Sequence, residues 1–220
     1  MRMLLGTLPL AVWYPYRLYR DSHLAHHNHD HLTVPVDDPE SYYFTDESWA
    51  RFSPWQRKLI QARNTFPGRL LLAPLLDIAQ TLTGAFQAFR LVQFRNMAMW
   101  LIHGALLVPL FILMEKTGFS ALYFVLAVSY PALALTKVRS FLEHQAADDP
   151  LARSVINDAA LVWRMLFLNL NYHSVHHDLP GVPWYGLREI YLRHKQDYHE
   201  RNQQFVVRGY RSPSPPGLYR

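Results

Sequence analysis

Residues Met97–Met114 read MAMWLIHGALLVPLFILM, and residues Phe119–Thr136 read FSALYFVLAVSYPALALT. Neither stretch holds an Asp, Glu, Lys or Arg, and the first holds a single histidine, His103. Each is 18 residues long, close to the shortest helix that crosses a hydrocarbon core. A soluble helix carries a polar face, so these two stretches read as membrane spans rather than as a pair of buried core helices. Only Glu115–Gly118, EKTG, lies between them. So short a link predicts a transmembrane helical hairpin whose two outer ends emerge on one face.

The charges agree with that topology. Ten Lys and Arg precede the first span, Lys116 sits in the hairpin loop, and eleven follow the second span. Arg90, Arg95, Lys137 and Arg139 crowd the outer ends. Basic residues collect on the cytoplasmic side, which predicts that both long flanks are cytoplasmic. Across all 220 residues the net charge is +5, charged residues make up 18% and aromatics 14%. That is too few charges and too many rings for a disordered chain. With no cysteine, the chain has no disulfide scaffold, thiolate zinc site, iron–sulfur cluster or covalent c-type haem. The basic residues follow the membrane pattern rather than forming a patch, which argues against nucleic-acid binding.

Working outward, Ser53-Pro54-Trp55-Gln56 has the form of a helix start, with a Ser cap, Pro at the first position and Gln closing a capping box. Arg57, Lys58, Arg63 and Arg69 then alternate with Leu59, Ile60, Phe66 and Leu70, the pattern of a helix lying on an anionic membrane surface. Leu70–Ala79 is more apolar, but Pro74 and Asp77 argue against a clean span. We expect it to be partly embedded or packed on the hairpin. Residues 34–53 read as a loop, and 209–220, GYRSPSPPGLYR, as a disordered tail. The expected fold is therefore all-α. It is one domain over 1–208, with a transmembrane hairpin, interfacial helices and a cytoplasmic histidine-rich cap.

The pattern His-x-x-His-His occurs twice, at His23-Leu24-Ala25-His26-His27 and at His173-Ser174-Val175-His176-His177. Residues at i, i+3 and i+4 share one helical face, so each copy can aim three imidazoles together. Neutral imidazole suits iron, zinc, copper or nickel rather than magnesium or calcium. Two such helices face to face could hold two metals. His144, in SFLEH just past the second span, falls on the same membrane side. His29 and His31 read as solvated or supporting, because Asn28 and Asp30 break the helical face. His103 reads as snorkelling toward water, and His194 and His199 as solvated. Asp30 and Asp178 follow the two triads and are candidates for orienting ligands. Asn171 is a further supporting candidate.

Two such boxes separated by a membrane hairpin resemble the integral-membrane fatty acid desaturases and hydroxylases. The likeness runs over about residues 5–200, including YRDSHLAHH, LTVPVDDPES, SFLEH and LNLNYHSVHHDLPGVPWYGL. It implies a non-haem site of two iron ions at the cytoplasmic membrane face, with O2 as co-substrate. It also implies an acyl-lipid substrate and a separate ferredoxin- or cytochrome-like electron donor. Carried over by position, the family's ligands fall on His23, His26, His27, His144, His173, His176 and His177. Some relatives have Asn where this chain has Ser140. The family also has an upstream histidine pair that is absent here, so we expect the chain to be N-terminally incomplete. Lipid hydroxylation or carotenoid ketolation on the same site stays open beside desaturation. A metal-binding or metal-transporting membrane protein and an inactive scaffold are the readings from other classes.

Overall fold

A computed structural model describes residues 6–27 and 29–210. The side chain of His29 and the tail 211–220 lie outside the described residues. Gly209 and Tyr210, expected in the tail, are held in place. Gly209 exchanges main-chain bonds with the Asn157 amide at 2.8 and 3.0 Å, and Tyr210 is buried in a core cluster.

The described chain is mostly helical. Helix α1, Tyr16–His26, carries the first histidine box. The expected loop at 34–53 contains α2, Asp46–Arg51, where Thr45 accepts from the Ser48 amide. Two acidic residues follow that cap and favour the helix N-terminus. Helix α3, Pro54–Asn64, starts with the expected capping box: Ser53 Oγ accepts from Gln56 N, and Gln56 Oε1 from Ser53 N.

Helix α4, Phe66–Arg90, runs unbroken for 25 residues through Pro74. Its start folds back hard on α3. A β-carbon at Gly68 would stand 1.8 Å from the Ala62 carbonyl oxygen, so only glycine fits. Helices α5, Phe94–Lys116, and α6, Ala121–Ser140, follow, with only residues 117–120 between them. Within α6 the turns over Phe124–Ser129 widen to π-helix just before Pro131, where the ring would clash with the carbonyl four residues back.

Three helices, α4, α5 and α6, are thus long and apolar enough to cross a membrane, against two expected. The extra one is α4. Its hydropathy, 1.2, is the lowest of the three, and Asp77 is neutralised by Lys137 at 2.6 Å. Pro74 does not break it. The lost bond is confined to one turn, and the helix packs along α6.

The described residues after α6 form short elements. Short helices α7, Leu161–Leu166, α8, His173–Asp178, α9, Trp184–Arg193, and α10, Lys195–Arg201, surround two parallel two-residue strands. In these, β1 (Ile156–Asn157) pairs with β2 (Val206–Val207). One core cluster joins Tyr43, Val138, Phe141, Phe167 and Tyr210, with Phe66, Leu70 and Leu135 packed on it. A second joins Ile156, Tyr172, Val175, Leu187, Tyr191 and Tyr198 beneath α8.

Candidate metal centre

Each box is placed by its own backbone. In α1, spacing alone puts His23, His26 and His27 on one face, and the His27 amide closes the helix on the His23 carbonyl. His144 sits on an extended stretch. Val155 N bonds Glu143 O, and Gln145 N bonds Arg153 O, pairing 143–145 against 153–155. The same stretch continues into β1 and fixes the second box, because Ser174 N bonds Val155 O and Asn157 N bonds Asn171 O. His144 and the second box therefore meet through main-chain geometry, and the first box reaches them through the His26–His144 ring contact.

All seven histidines converge in two adjoining groups. His26, His144, His173 and His177 form the first, three of them buried; His23, His27 and His176, half-buried, form the second. In the first, His144 Nε2 lies 2.9 Å from His26 Nε2 and 3.0 Å from His173 Nε2, and His173 Nε2 is 3.1 Å from His177 Nε2. In the second, His23 and His27 bring their Nε2 atoms to 3.2 Å. The groups share a wall, where the His27 and His177 rings stack at 4.3 Å.

The opposite ring nitrogens decide what this arrangement can do. His26 Nδ1 donates to Asp38 at 2.8 Å. His173 Nδ1 faces Glu143 at 3.2 Å, and His23 Nδ1 faces Glu40 at 3.4 Å. His144 Nδ1 faces the Arg153 carbonyl at 3.3 Å. An acceptor on the Nδ1 side places the single proton of a neutral imidazole there and leaves Nε2 a bare lone pair. In the neutral Nδ1–H tautomer, lone pairs from His26, His144 and His173 point at one another across about 3 Å. That is repulsive unless a cation sits among them. The donor set fits a metal that accepts imidazole nitrogen.

The electrostatics keep most rings neutral. Burial, then neighbouring histidines, pull His144, His173 and His177 well below the usual histidine range and His176 down to about 3. His26 is the exception: burial disfavours its cation, but the Asp38 hydrogen bond and nearby carboxylates raise it. Burial pushes Glu143 up, against the pull of Arg139 at 3.0 Å.

The supporting residues differ from expectation. Asp30 is exposed, and its carbonyl rather than its carboxylate is used, accepting from Arg153. Asp178 turns away from the site to bind Tyr198 and Arg201. Ser140 bonds Tyr42 at 2.8 Å, and Asn171 Nδ2 donates to Asn157 O at 2.7 Å. Asn171 thus braces the chain leading into the second box without reaching a ring. The carboxylates that do face the rings, Asp38, Glu40 and Glu143, are ones the spacing did not single out. Asp38 is fixed by the Thr33 and Glu40 amides at 2.8 and 2.9 Å, around a turn in which Thr33 has φ 68°.

The outlying histidines take other roles. His103 is buried, not snorkelling; its Nε2 donates to Val12 O at 3.0 Å. His31 is exposed and paired with Asp37. His194 is exposed beside Asp197, and His199, expected solvated, is half-buried against the Tyr191 hydroxyl at 2.9 Å.

A family model described as fatty acid desaturase matches residues 1–209. No curated protein and no solved structure matches the chain.

Proposed function

The chain belongs to the fatty acid desaturase family, an oxidoreductase family acting in a lipid and membrane setting, and from that premise we propose that it is an O2-dependent acyl-lipid desaturase. The observation carrying this reading is the set of converging Nε2 atoms, with Asp38 bonded to the opposite nitrogen of His26 and Glu143 facing that of His173. The seven histidines would hold two iron ions, the buried group and the half-buried group each contributing to one. Iron held there supplies the O2 activation needed to take hydrogen from an unactivated C–H bond.

The chain's own residues supply positioning. Asp38 keeps the His26 proton on its outer nitrogen, and Glu40 and Glu143 lie 3.4 and 3.2 Å from the outer nitrogens of His23 and His173. Burial keeps water from the inner group. Beside the half-buried group lies a cleft of about 330 Å³, walled by Leu8, Leu10, Tyr14, Tyr19 and His103. Tyr14 stacks on Tyr19 at 6.0 Å and Tyr19 on His23 at 5.7 Å. An apolar chain lying in this cleft is one ring from the candidate centre. Removal of two hydrogens from it, with O2, two electrons and two protons, leaves an alkene and two waters. The chain carries no redox motif of its own for those electrons, so a ferredoxin- or cytochrome-like donor supplies them.

The geometry also supports an interfacial α4 and a two-span hairpin. Phe66 packs on the cap cluster. At the other end Arg90 is joined by only Leu91–Gln93 to Phe94, and the next residue, Arg95, reaches Asp21 of α1 at 2.6 Å. Three residues span about 10 Å, whereas a 25-residue helix is roughly 37 Å long. Both ends of α4 are therefore at cap level, as in a helix lying along the membrane face. An even number of crossings then separates the two boxes, as their meeting requires. Arg90, Arg95, Lys137 and Arg139 near that face favour the cytoplasmic side.

The reading is tested by supplying acyl lipid, O2 and a reduced donor to the purified protein and weighing the product. Loss of two hydrogens is the expected result. Gain of one oxygen would assign hydroxylation or ketolation instead, and an unchanged lipid would remove the enzymatic reading.

A further inference from the structure

The segment leading into the second histidine box is unusually apolar for a cap. Between Ala159 and His177 the only Asp, Glu, Lys or Arg is Arg164. Arg164 is not free; its Nε donates to Asn169 Oδ1 at 3.3 Å. Helix α7 divides its side chains between two faces. Trp163 and Phe167 point inward, to Tyr210 and to the cluster containing Val138 and Leu135 of α6 and Phe66 and Leu70 of α4. Leu161, Val162, Met165, Leu166 and Leu168 point outward and are between 47% and 66% exposed. Past the box, Leu179, Trp184 and Tyr185 are exposed as well. The two strips are tied together, since Asn169 Nδ2 donates to the Trp184 carbonyl at 3.2 Å.

We propose that this face, α7 with the turn at Trp184–Tyr185, is a membrane anchor of the cap that dips into the bilayer beside the hairpin. The occupant is lipid because the patch is continuous with lipid-facing surface. Its inner face packs on the last turns of α6 and the first turns of α4, where Leu71 and Leu75 of α4 are likewise exposed. Five adjacent exposed large apolar side chains form a patch that soluble surfaces rarely leave open. A tryptophan and a tyrosine at its rim are the residues favoured at a membrane–water interface. Arg164, with an apolar stem and a head bonded at the edge, suits that depth. Helix α8 begins five residues after Leu168, so the anchor sets the height of His173–His177 over the lipid. The inference rests on apolar helices crossing a bilayer and not on the chemistry of the histidines.

The chain has no cysteine, so a single introduced thiol reports cleanly. Full-length Val162→Cys, Met165→Cys and, as a control on the charged face, Arg193→Cys would each carry an environment-sensitive fluorophore. Each would be placed singly in phosphatidylcholine nanodiscs. Labels at 162 and 165 are expected to be quenched several-fold more by lipids spin-labelled on the acyl chain than the label at 193. They should also be shielded from aqueous iodide. Quenching by iodide equal to that at 193 would overturn the proposal. So would shielding that appears only when two chains share a disc, because the face would then be an interface between copies. If Val162→Cys does not fold, Leu166→Cys reads the same face.

Discussion

Asp38 is bonded to His26, and Glu143 faces His173, at the ring nitrogen turned away from the other imidazoles. Their effect is therefore on metal affinity before it is on chemistry. Asp38→Asn keeps the side chain's shape but removes its charge opposite His26. Losses at such supporting positions are about 10- to 100-fold in metal affinity. A chelator-competition titration of the variant should show a drop in that range, and unchanged affinity would remove Asp38 from the site. His26→Ala or His176→Ala should abolish turnover and lower bound iron. His194→Ala should do neither, since His194 is exposed beside Asp197; iron content and product yield check both. At this scale the ring set was legible in the sequence, because i, i+3, i+4 spacing survives folding unchanged. The carboxylates were not. Asp38 reaches His26 across 12 residues of turn, and Glu143 reaches His173 across the 143–155 pairing. Asp30 and Asp178, adjacent in sequence, are turned away by where the helices end.

Among the elements, the junction of α3 and α4 is the tightest. Gly68→Ala places a methyl against the Ala62 carbonyl, and overpacking of this kind costs about 1–3 kcal/mol. Thermal unfolding in detergent should show a lowered Tm with the iron content of folded protein unchanged; an unaltered Tm would contradict the close approach. Helices α3, α5 and α6 could be read from a capping box and from uncharged runs, both local signals. The length of α4 could not. Pro74 and Asp77 are breakers by local rules, and their tolerance depends on packing against α6 and on Lys137, which only tertiary structure supplies. Thr45-Asp46-Glu47-Ser48 carries a local start signal for the short helix at Asp46–Arg51, which the loop reading of 34–53 leaves out. The two-residue strands carry no sequence signal of their own, yet β1 sets the register of the second box.

For the whole molecule, one hydrophobic solvent and one polar cap explain both the fold and the meeting of the boxes. Most of α4, α5 and α6 is uncovered by protein, so lipid takes the place of a second layer of core. The buried imidazoles impose a pH dependence on the metal-free chain. His144, His173 and His177 hold fewer protons folded than unfolded, because burial lowers their pKa. Between their folded values and about 6.5 the unfolded chain takes up more protons, so stability falls as pH drops below about 6.5. Melting of the metal-free protein at pH 7.5 and pH 5.5 should show the lower Tm at pH 5.5; an equal or higher Tm there would contradict buried neutral rings.

The most direct test of the account is elemental analysis of the detergent-purified chain after iron-supplemented expression, beside a His173→Ala variant. The account predicts about two irons per chain, held by the two imidazole groups, and a clear loss in the variant. A chain that binds no metal, or one whose metal content is the same with and without His173, would contradict it.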